Sequence, residues 1–324
     1  MSDATSEHVA IIVTHSSDVT SDFMCDRLRS EGRAFIRIDS DRTATDVELA
    51  MTSDGLALRV GERSVTPEGV SSIWLRRPKT IAVTAADPAE AAHTAAEWGE
   101  ALEGFFAHVP RTRWINHPSS NANASHKLEQ LTRARSVGLH TPDTLLTQNV
   151  ATALAFLERN HGGIIAKPLS TGYIERESVE RDTHLYTSRV KASDLANASL
   201  LRRCPTLFQA EIRKVCDVRV CCVDDRMTAV RLTRRTENHS QILDIRRDNM
   251  NGVDHSRIDV PSDVAEALRS LIASYGLRFA AVDFAIDHHG AWIFFEVNPN
   301  GQWAWLDQVG VADIAGDLLW AMTK

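Results

Sequence analysis

The sequence predicts an α/β protein that opens with strands of a parallel sheet. His8–His15 (HVAIIVTH) is a short β-branched run typical of a buried strand. Asp18–Ser30 has helical spacing and stops before Gly32, and Ala34–Asp39 alternates as a second strand. A strand, a helix and a strand in this order favour a βαβ unit, because parallel strands need a crossover connection. The turn after the first strand lacks GxGxxG, which disfavours a dinucleotide site.

The rest of the N-terminal part predicts a hairpin, a strand and a long helix. The hairpin covers Leu49–Gly61, since Asp-Gly stands between two alternating runs. Val70–Pro78 (VSSIWLRRP) predicts the strand, and Asp87–Val109 predicts the helix, which ends at Pro110. We place the boundary of the first domain after residue 117.

Two more α/β segments are predicted, at residues 118–207 and 208–324. Their helices are expected over Ser119–Val137, Ala151–Asn160 and Pro261–Tyr275, with a short helix at the C-terminus. The expected strands are Gly163–Leu169, Thr206–Ile212, Asp217–Val223, Met227–Thr233, Phe279–Asp287 and Ala291–Val297.

The composition is that of an ordinary globular protein. The chain has 324 residues, of which 43% are hydrophobic and 24% charged, enough for sizeable cores. No run reaches the roughly 18 apolar residues of a membrane helix, and the acidic N-terminus is unlike a signal peptide. Five cysteines without zinc-site spacing are typical of reduced thiols. We therefore predict a cytoplasmic protein without a membrane partner.

Charge is unevenly distributed along the chain. The net charge of −7 argues against a general nucleic-acid binder. The stretch from Arg202 to Arg257 nevertheless carries 12 Lys and Arg against 8 Asp and Glu. A locally basic stretch in an acidic chain suits a compact anionic ligand, and a solvated arginine-rich face is the alternative.

The strongest candidate site is the late hairpin, AAVDFAIDHHGAWIFFEVNPNG. With His288-His289 as a two-residue loop, Asp283 opposes Phe294 across the strands. Side chains alternate, so Glu296 and Asn298 lie on the face of Asp283. Three oxygen ligands on one patch suit Mg²⁺. The alternative is a solvated polar face without a metal, and a one-residue change of register would separate the three residues.

Two lysines are candidate phosphate ligands. Lys167 ends the apolar run GIIAKPL, and residues 170–172 (STG) follow with backbone N–H and hydroxyl groups that suit phosphate. Lys127 lies near a helix start in NASHKLEQL. The alternatives are a strand-end lysine that extends to solvent and an ordinary surface lysine.

A polar set follows the run FQAEI. Asp217 and Arg219 share one strand face, where they form either a structural ion pair or ligands for a ribose hydroxyl and a phosphate. Arg246 continues this set. The chain has no HExxH motif and no Ser/His/Asp or Cys/His nucleophile pattern.

In this order, the residues resemble the ATP-grasp fold and, more narrowly, the graspetide synthetases, the microviridin-type peptide ligases. The matching pieces span most of the chain: IWLRRP, WIN, HKLEQLTRARSVGLHTPDTLLT, FQAEI, DVR, DIR, VDF and FFEVNPNGQWAWL, with Lys127 and Lys167. The resemblance implies an ATP-grasp fold with an N-terminal pre-ATP-grasp α/β domain. It also implies ATP and two Mg²⁺ ions as cofactors, and a ribosomal precursor peptide with leader and core as partner.

The resemblance further implies roles for the nucleotide-site residues. Lys127 and Lys167 would contact the α- and β-phosphates, and Asp217 would hold the ribose. The adenine hinge, which acts mostly through backbone groups, would consist of Gln209, Ala210, Glu211 and Ile212.

The same resemblance assigns the metal ligands and two arginines. Asp283, Glu296 and Asn298 would bind two Mg²⁺ ions, with Glu296 bridging them. Arg219 and Arg246 would act in catalysis by stabilising the transferring phosphoryl group and the acyl phosphate.

The predicted activity is an ATP-dependent ligase that activates Asp or Glu side chains of the peptide and closes ω-ester or ω-amide macrocycles. One alternative is a RimK-like ligase that adds amino acids to a protein or small molecule. The other is a non-catalytic nucleotide-binding module. A neighbouring reading frame rich in Thr/Ser and Asp/Glu would favour the first. The oligomeric state stays open, with a homodimer among the options.

Overall fold

The N-terminal part is built on a four-stranded parallel sheet. Its strands are β1 (Val9–Thr14), β2 (Phe35–Asp39), β6 (Val70–Leu75) and β7 (Trp114–Ile115), in the order β2-β1-β6-β7. The computed structural model describes residues 8–170, 172–174, 183–234, 243 and 252–324. All of β1 is buried, which agrees with its five apolar residues before Thr14. The predicted βαβ unit is confirmed.

The helices and the small sheet around these strands complete the first core. Helix α1 (Val19–Ser30) begins at Asp18, whose carboxylate accepts a hydrogen bond from the N–H of Thr20. The predicted hairpin is present within a three-stranded antiparallel sheet, beside the short helix α2 and the long helix α3. The bounds are Thr43–Asp46 for α2, Val47–Thr52 for β3, Gly55–Val60 for β4, Arg63–Val65 for β5 and Pro88–Ala107 for α3.

The predicted single helix over Ser119–Val137 is wrong, because the chain breaks there into α4 (Pro118–Ala124) and α5 (Lys127–Ser136). The break lets the buried Gln130 donate from Nε2 to the carbonyl of Ala124 at 2.6 Å. The same nitrogen donates to the carbonyl of Val297 at 2.8 Å, and Val297 N–H donates back to Gln130 Oε1 at 2.8 Å. Gln130 therefore ends α4 and covers a strand edge in the C-terminal part.

The central part contains an antiparallel sheet in the order β12-β9-β13-β8. A separate two-stranded pair, β10 with β11, lies beside it. β13 spans the predicted boundary at residue 207 and pairs with β8 and β9, which favours a boundary after β13. The bounds are Thr144–Thr147 for β8, Val150–Arg159 for α6, Ile164–Lys167 for β9, Tyr173–Ile174 for β10, Thr183–His184 for β11, Ser188–Val190 for β12, Ala198–Leu201 for α7 and Thr206–Ala210 for β13.

The C-terminal part is a five-stranded antiparallel sheet in the order β16-β15-β14-β17-β18. Helix α8 packs with the apolar face of this sheet, while α9 and α10 close the chain. The bounds are Lys214–Val223 for β14, Arg226–Arg234 for β15, Val253–Ile258 for β16, Ser262–Tyr275 for α8, Phe279–Asp287 for β17, Trp292–Asn298 for β18, Ala304–Gln308 for α9 and Ile314–Thr323 for α10.

One hydrophobic core joins the first and last sheets. Ile12 and Trp74 from the parallel sheet pack in the same buried cluster as Val223 and Phe279 from the C-terminal sheet, together with Trp303 after β18. This shared burial holds the end of β6 against the loop that follows β18, which positions the candidate site. Across the described residues, no helix is both long and apolar enough to span a bilayer.

Candidate active site

A cavity of about 540 Å³ lies between the central sheet and the C-terminal sheet. Most of the residues predicted from the sequence line it: Lys127, Lys167, Ala210, Glu211, Ile212, Asp217, Arg219, Asp283, Glu296 and Asn298. Gln209 does not line the cavity, and the predicted Arg246 lies outside the described residues. The fold therefore brings together side chains from four separate stretches of the chain.

The hairpin register at the acidic residues differs from the prediction. The N–H of Asp287 donates to the carbonyl of Ala291 at 3.1 Å, so the loop closed by this pair has three residues, 288–290, and Gly290 has a φ of +81°. A glycine suits this turn because it adopts positive φ without strain. Pairing of Asp283 with Phe294 is therefore wrong, and Asp283 pairs with Glu296.

A β-bulge in β18 produces this pairing. The register shifts by one residue between Phe284 and Asp283, so Phe295 is the extra residue of the bulge. Without the bulge, Glu296 would pair with the fully buried Val282 and point into the core. The loop and the bulge each shift the register by one residue, so the predicted face is kept although the predicted pairing is not.

The three predicted metal ligands are in contact with one another. Asn298 Nδ2 lies 3.3 Å from Asp283 Oδ2 and 3.2 Å from Glu296 Oε1. Arg219 Nε lies 2.8 Å from Asp283 Oδ1, and Lys127 Nζ lies 3.6 Å from Glu296 Oε2. Each of the two carboxylates thus has a cationic side chain beside it, and the amide group of Asn298 lies within hydrogen-bond distance of both carboxylates.

This donor set fits Mg²⁺. The described part of the chain has no group of three or more His, Cys, Asp or Glu side chains arranged for a metal. Here the third ligand is an amide, whose oxygen faces the carboxylates after a half-turn of the group. The side chains of Asp283 and Glu296 are 25% and 23% exposed. Such partial exposure leaves room for the water and phosphate oxygens that complete a Mg²⁺ shell.

Lys127 bridges the central and C-terminal parts. It is the first residue of α5, and its Nζ donates to the carbonyl of Pro168 at 2.9 Å and to that of Ser170 at 3.4 Å. Because the ammonium also lies close to Glu296, it stands between the loop after β9 and the acidic pair. A cation in this position suits a phosphate chain that runs toward the acids.

Lys167 ends β9, and its ammonium group lies beside the bulge in β18. Its Nζ lies 4.3 Å from the ring centroid of Phe295, a cation–π distance. The following loop is closed by Gly172, which has a φ of +71°. A Cβ on Gly172 would lie 2.7 Å from the carbonyl oxygen of Leu185 and 2.9 Å from Pro168 Cγ. Glycine is therefore the residue that fits this position beside Pro168 and Leu185.

The predicted adenine hinge follows the end of β13. The N–H of Ala210 donates to the carbonyl of Asp143 and that of Glu211 to the carbonyl of Gly163, both at 2.9 Å. These two donors are therefore used inside the protein. A ligand at this strand end would therefore need backbone partners other than these two N–H groups.

Gln209 and Glu211 point to different environments. Gln209 is 2% exposed, and its Nε2 donates to Thr144 Oγ1 at 3.1 Å, so its side chain belongs to the central sheet. The carboxylate of Glu211 accepts from Nε and one terminal nitrogen of Arg189 at 2.7–3.0 Å. This bidentate pair fixes the side chain at the cavity wall.

Asp217 and Arg219 have different ionic partners. Lys214 Nζ lies 2.7 Å from both carboxylate oxygens of Asp217, while Arg219 pairs with Asp283. Lys214 also donates to the carbonyl of Leu243 at 3.2 Å. Asp217 thus carries an ion pair and lines the cavity at once, and both predicted alternatives for this residue remain compatible with its position.

Two arginines from the N-terminal part hold the loop after β18. Arg76 is fully buried and donates to the carbonyl of Asn300 and, at 2.8 Å, to Gln302 Oε1. Arg77 donates to the same Asn300 carbonyl from Nε at 3.2 Å and from a terminal nitrogen at 3.0 Å. Burial lowers the pKa of Arg76 to about 10, with Arg77 adding to this shift and Asp18 opposing it.

Gly301 allows this loop to approach the C-terminal sheet. A Cβ at Gly301 would lie 2.3 Å from the Cβ of Ala281 and 3.3 Å from a terminal nitrogen of Arg219. The close contact requires glycine at the last position of the NPNG segment, three residues after the metal-ligand candidate Asn298.

Comparison with known proteins assigns the chain to a family. Residues 9–122 match the family described as the MvdD pre-ATP grasp domain. The macrocyclase MdnB from Microcystis aeruginosa MRC is 30% identical, with a TM-score of 0.74, over 97% of this chain and 98% of MdnB. The chain belongs to the graspetide synthetases, a family of ATP-grasp ligases.

Two further solved structures share the fold of this graspetide synthetase. The macrocyclase MdnC from the same organism, bound with the precursor peptide MdnA, has a TM-score of 0.81 and 24% identity over 98% of this chain and 99% of MdnC. An ATP-grasp ligase from Chryseobacterium gregarium, in complex with ADP and a leader and core peptide, has a TM-score of 0.83 and 23% identity over 96% and 95%. No curated protein matches the chain.

Several residues of the synthetase cavity had no predicted role. Arg77 and Trp305 lie in WLRRP and QWAWL, which carry the family resemblance but suggest no chemistry by themselves. Phe295 lines the cavity because of the bulge, and Arg189 belongs to a stretch without a motif. The acidic and lysine residues of the sequence are enough to predict the metal and phosphate ligands. The position of these wall residues in the cavity follows only from the tertiary structure.

Proposed function

We propose that this graspetide synthetase activates Asp or Glu side chains of a ribosomal precursor peptide with ATP and closes ω-ester or ω-amide macrocycles. The observation that carries the proposal is the meeting of Asp283, Glu296 and Asn298 with two lysines in one cavity. MdnB, the relative at 30% identity, is described as a macrocyclase, and MdnC and the Chryseobacterium ligase were solved with peptides.

The nucleotide would occupy the cavity from the hinge toward the acids. Ala210, Glu211 and Ile212 would contact the adenine through backbone groups, and Asp217 would hold the ribose. Lys127 and Lys167 would contact the α- and β-phosphates, because their ammonium groups enter from two separate elements. Gln209 would act behind the hinge rather than on the base, since its side chain is buried.

Asp283, Glu296 and Asn298 would hold Mg²⁺, and we propose two ions with Glu296 as the shared ligand. Bound Mg²⁺ would neutralise negative charge on the phosphate oxygens. Arg219 is fixed by Asp283 beside these ligands, so its guanidinium would stabilise the transferring phosphoryl group without moving into place. Arg246 is proposed for the acyl phosphate from the family resemblance alone.

The proposed reaction has two steps. A carboxylate oxygen of the peptide attacks the γ-phosphorus, which forms an acyl phosphate and releases ADP. A Ser or Thr hydroxyl or a Lys amine of the same peptide then attacks the acyl carbon, loses its proton and releases phosphate. The bond formed accounts for the loss of one water from the peptide. Phe295 and Trp305 supply apolar wall that limits competition from water.

The proposed function is tested by mass spectrometry of a peptide substrate. The protein is incubated with ATP, Mg²⁺ and the peptide encoded beside its gene, and the intact mass of the peptide is measured. We expect a loss of one water per bond and at least one ATP consumed per bond. Mild base opens esters and spares amides. A mass gain equal to an amino acid indicates the RimK-like activity instead, and an unchanged mass contradicts the proposal.

The two lysines give a prediction for nucleotide binding. Lys127→Met and Lys167→Met each remove a cation from the cavity, so we expect each to weaken ATP binding about tenfold. The remaining binding should depend less on salt. Titration calorimetry at two salt concentrations measures both effects. Lys324→Met, at an exposed position after α10 that does not line the cavity, is the matched control. ATP affinity equal to that of the parent in both cavity variants contradicts the assignment.

A further inference from the structure

Gln302 lies where the N-terminal part of the chain meets the cavity. It follows the glycine of the NPNG segment, and both Gly301 and Gln302 line the cavity. Gln302 is exposed, whereas its two neighbours in the chain, Gly301 and Trp303, are buried. The short loop after β18 therefore presents an accessible amide side chain at the edge of the cavity.

The oxygen of the Gln302 amide is held by two donors from the N-terminal part. Thr20 Oγ1, in the first turn of α1, donates to Gln302 Oε1, and a terminal nitrogen of Arg76 donates to the same oxygen at 2.8 Å. An arginine side chain has donors and no acceptor, so the amide atom that faces it is the oxygen and not the nitrogen. The partners of the amide therefore determine its orientation.

The nitrogen of the same amide carries two N–H donors that the protein does not use. Within the residues that the structure describes, the hydrogen bonds of Gln302 involve its Oε1 and its backbone carbonyl, and none involves Nε2. Because the oxygen and nitrogen of an amide diverge from one carbon, Nε2 is directed away from Thr20 and Arg76. The side chain is exposed, so these two donors are available to a ligand that enters the cavity.

The surroundings of Gln302 indicate the kind of ligand. Its backbone carbonyl accepts from a terminal nitrogen of Arg219 at 3.3 Å, and Arg219 pairs with Asp283 at 2.8 Å. A Cβ on the preceding Gly301 would lie 3.3 Å from that same nitrogen and 3.2 Å from the Cβ of Asn298. Gln302 is therefore next to the residues proposed for the transferring phosphoryl group and the metal, and the oxygens of a phosphoryl group are acceptors for an N–H donor.

We propose that Gln302 donates from Nε2 to an oxygen of the γ-phosphoryl group of ATP, beside Arg219. This inference rests on the proposed function. Because Thr20 and Arg76 hold Oε1, the donor is oriented before the nucleotide binds, and little ordering of the side chain remains to be paid on binding. A neutral amide adds a directed hydrogen bond without adding charge to the cavity. The N-terminal part of the chain would thus act on the phosphoryl group through the orientation of this amide.

The test compares two nucleotides that differ by the γ-phosphoryl group. The affinity of Gln302→Leu is measured by titration calorimetry with Mg²⁺ and either ADP or a non-hydrolysable ATP analogue. Only the analogue carries the oxygen that Nε2 would contact, so we expect its affinity to fall about tenfold, with ADP affinity within about twofold of the parent. Gln148→Leu, at an exposed position after β8 that does not line the cavity, should bind both nucleotides like the parent.

A second variant separates the donor from the contacts that hold it. Gln302→Glu keeps an oxygen for Thr20 and Arg76, so its unfolding midpoint should be no lower than that of the parent. It replaces the N–H donors by a carboxylate oxygen, so it should lose the preference for the analogue over ADP at least as far as Gln302→Leu.

The ratio of the two nucleotide affinities decides the inference without any peptide. If both variants keep the parental ratio, or weaken ADP and the analogue equally, the inference is wrong, because Gln302 then has a structural role alone. That result leaves the proposed function standing if the parent modifies its peptide. If the ratio falls as expected but the parent leaves the peptide unmodified, the proposed function fails and the contact of Gln302 with the γ-phosphoryl group is retained.

Discussion

Glu296→Gln should lower the turnover of peptide by on the order of 10²-fold or more, with the fold retained. The substitution keeps the size of the side chain and removes the charge that faces Asp283 across the bulge. Charge that develops on the phosphate oxygens would then be less well neutralised, because the proposed Mg²⁺ ligand is lost. The rate of product formation at saturating ATP and peptide, measured over a range of Mg²⁺ concentrations, gives the size of the effect.

A matched variant separates charge in the cavity from charge in general. Glu266 is exposed on α8, away from the cavity, so Glu266→Gln should keep the turnover of the parent. The circular dichroism and unfolding midpoint of Glu296→Gln should stay close to those of the parent, since the side chain is only partly buried. A well-folded Glu296→Gln with parental turnover would remove the basis of the metal site.

Asn116→Ala should cost about 3 kcal/mol or more of stability, because the asparagine is 1% exposed and joins separate elements. Its Oδ1 accepts from the N–H groups of Arg278 and Phe279 at 2.7 and 2.8 Å. Its Nδ2 donates to the carbonyls of Phe279 and Pro299 at 2.8 and 3.1 Å. Alanine would leave these buried backbone groups without a partner. The denaturant midpoint, followed by tryptophan fluorescence, should fall markedly.

Asn123→Ala provides the control for this prediction. Asn123 is exposed on the neighbouring helix α4, so its loss should leave the denaturant midpoint within experimental error of the parent. Asn116 also donates to the carbonyl of Pro299, at the start of the loop that contains Asn300. We therefore expect some loss of turnover as well, measured at a temperature low enough for the variant to stay folded. An Asn116→Ala protein that unfolds at the same denaturant concentration as the parent would contradict the role given to these hydrogen bonds.

Much of the fold is readable in local sequence. The βαβ opening follows from the apolar run before Thr14 and the helix signal at Asp18, and most strands lie where alternation places them. The helix break at Ser125 was missed because its cause is distant in sequence. Gln130 reaches both Ala124 and Val297, and no local pattern indicates a partner 167 residues away.

The candidate site was predicted in part for a similar reason. A register change of two residues leaves every side chain on its original face of the sheet. The predicted and observed registers differ by two residues at Asp283, so the sequence placed Asp283 and Glu296 on one face although the predicted partner, Phe294, was wrong. The bulge itself has no sequence signal as clear as the Asp-Gly of the first hairpin. Arg77 is visible as a residue, but its place in the cavity depends on the core that joins the first sheet to the last.

The bulge at Phe295 has a consequence for chimeric enzymes. The bulge divides β18 into two segments that pair with β17 in registers one residue apart. One segment is next to the turn and ends at Phe294, and the other begins at Glu296. Consider a chimera that takes the turn from one relative and the acidic residues from another. It keeps the pairing of Asp283 with Glu296 only if Phe295 and Glu296 come from the same parent. Crossover points therefore belong in the turn at residues 288–290 or beyond Asn298. A crossover between Phe294 and Glu296 that deletes one residue would direct the Glu296 side chain into the hydrophobic core.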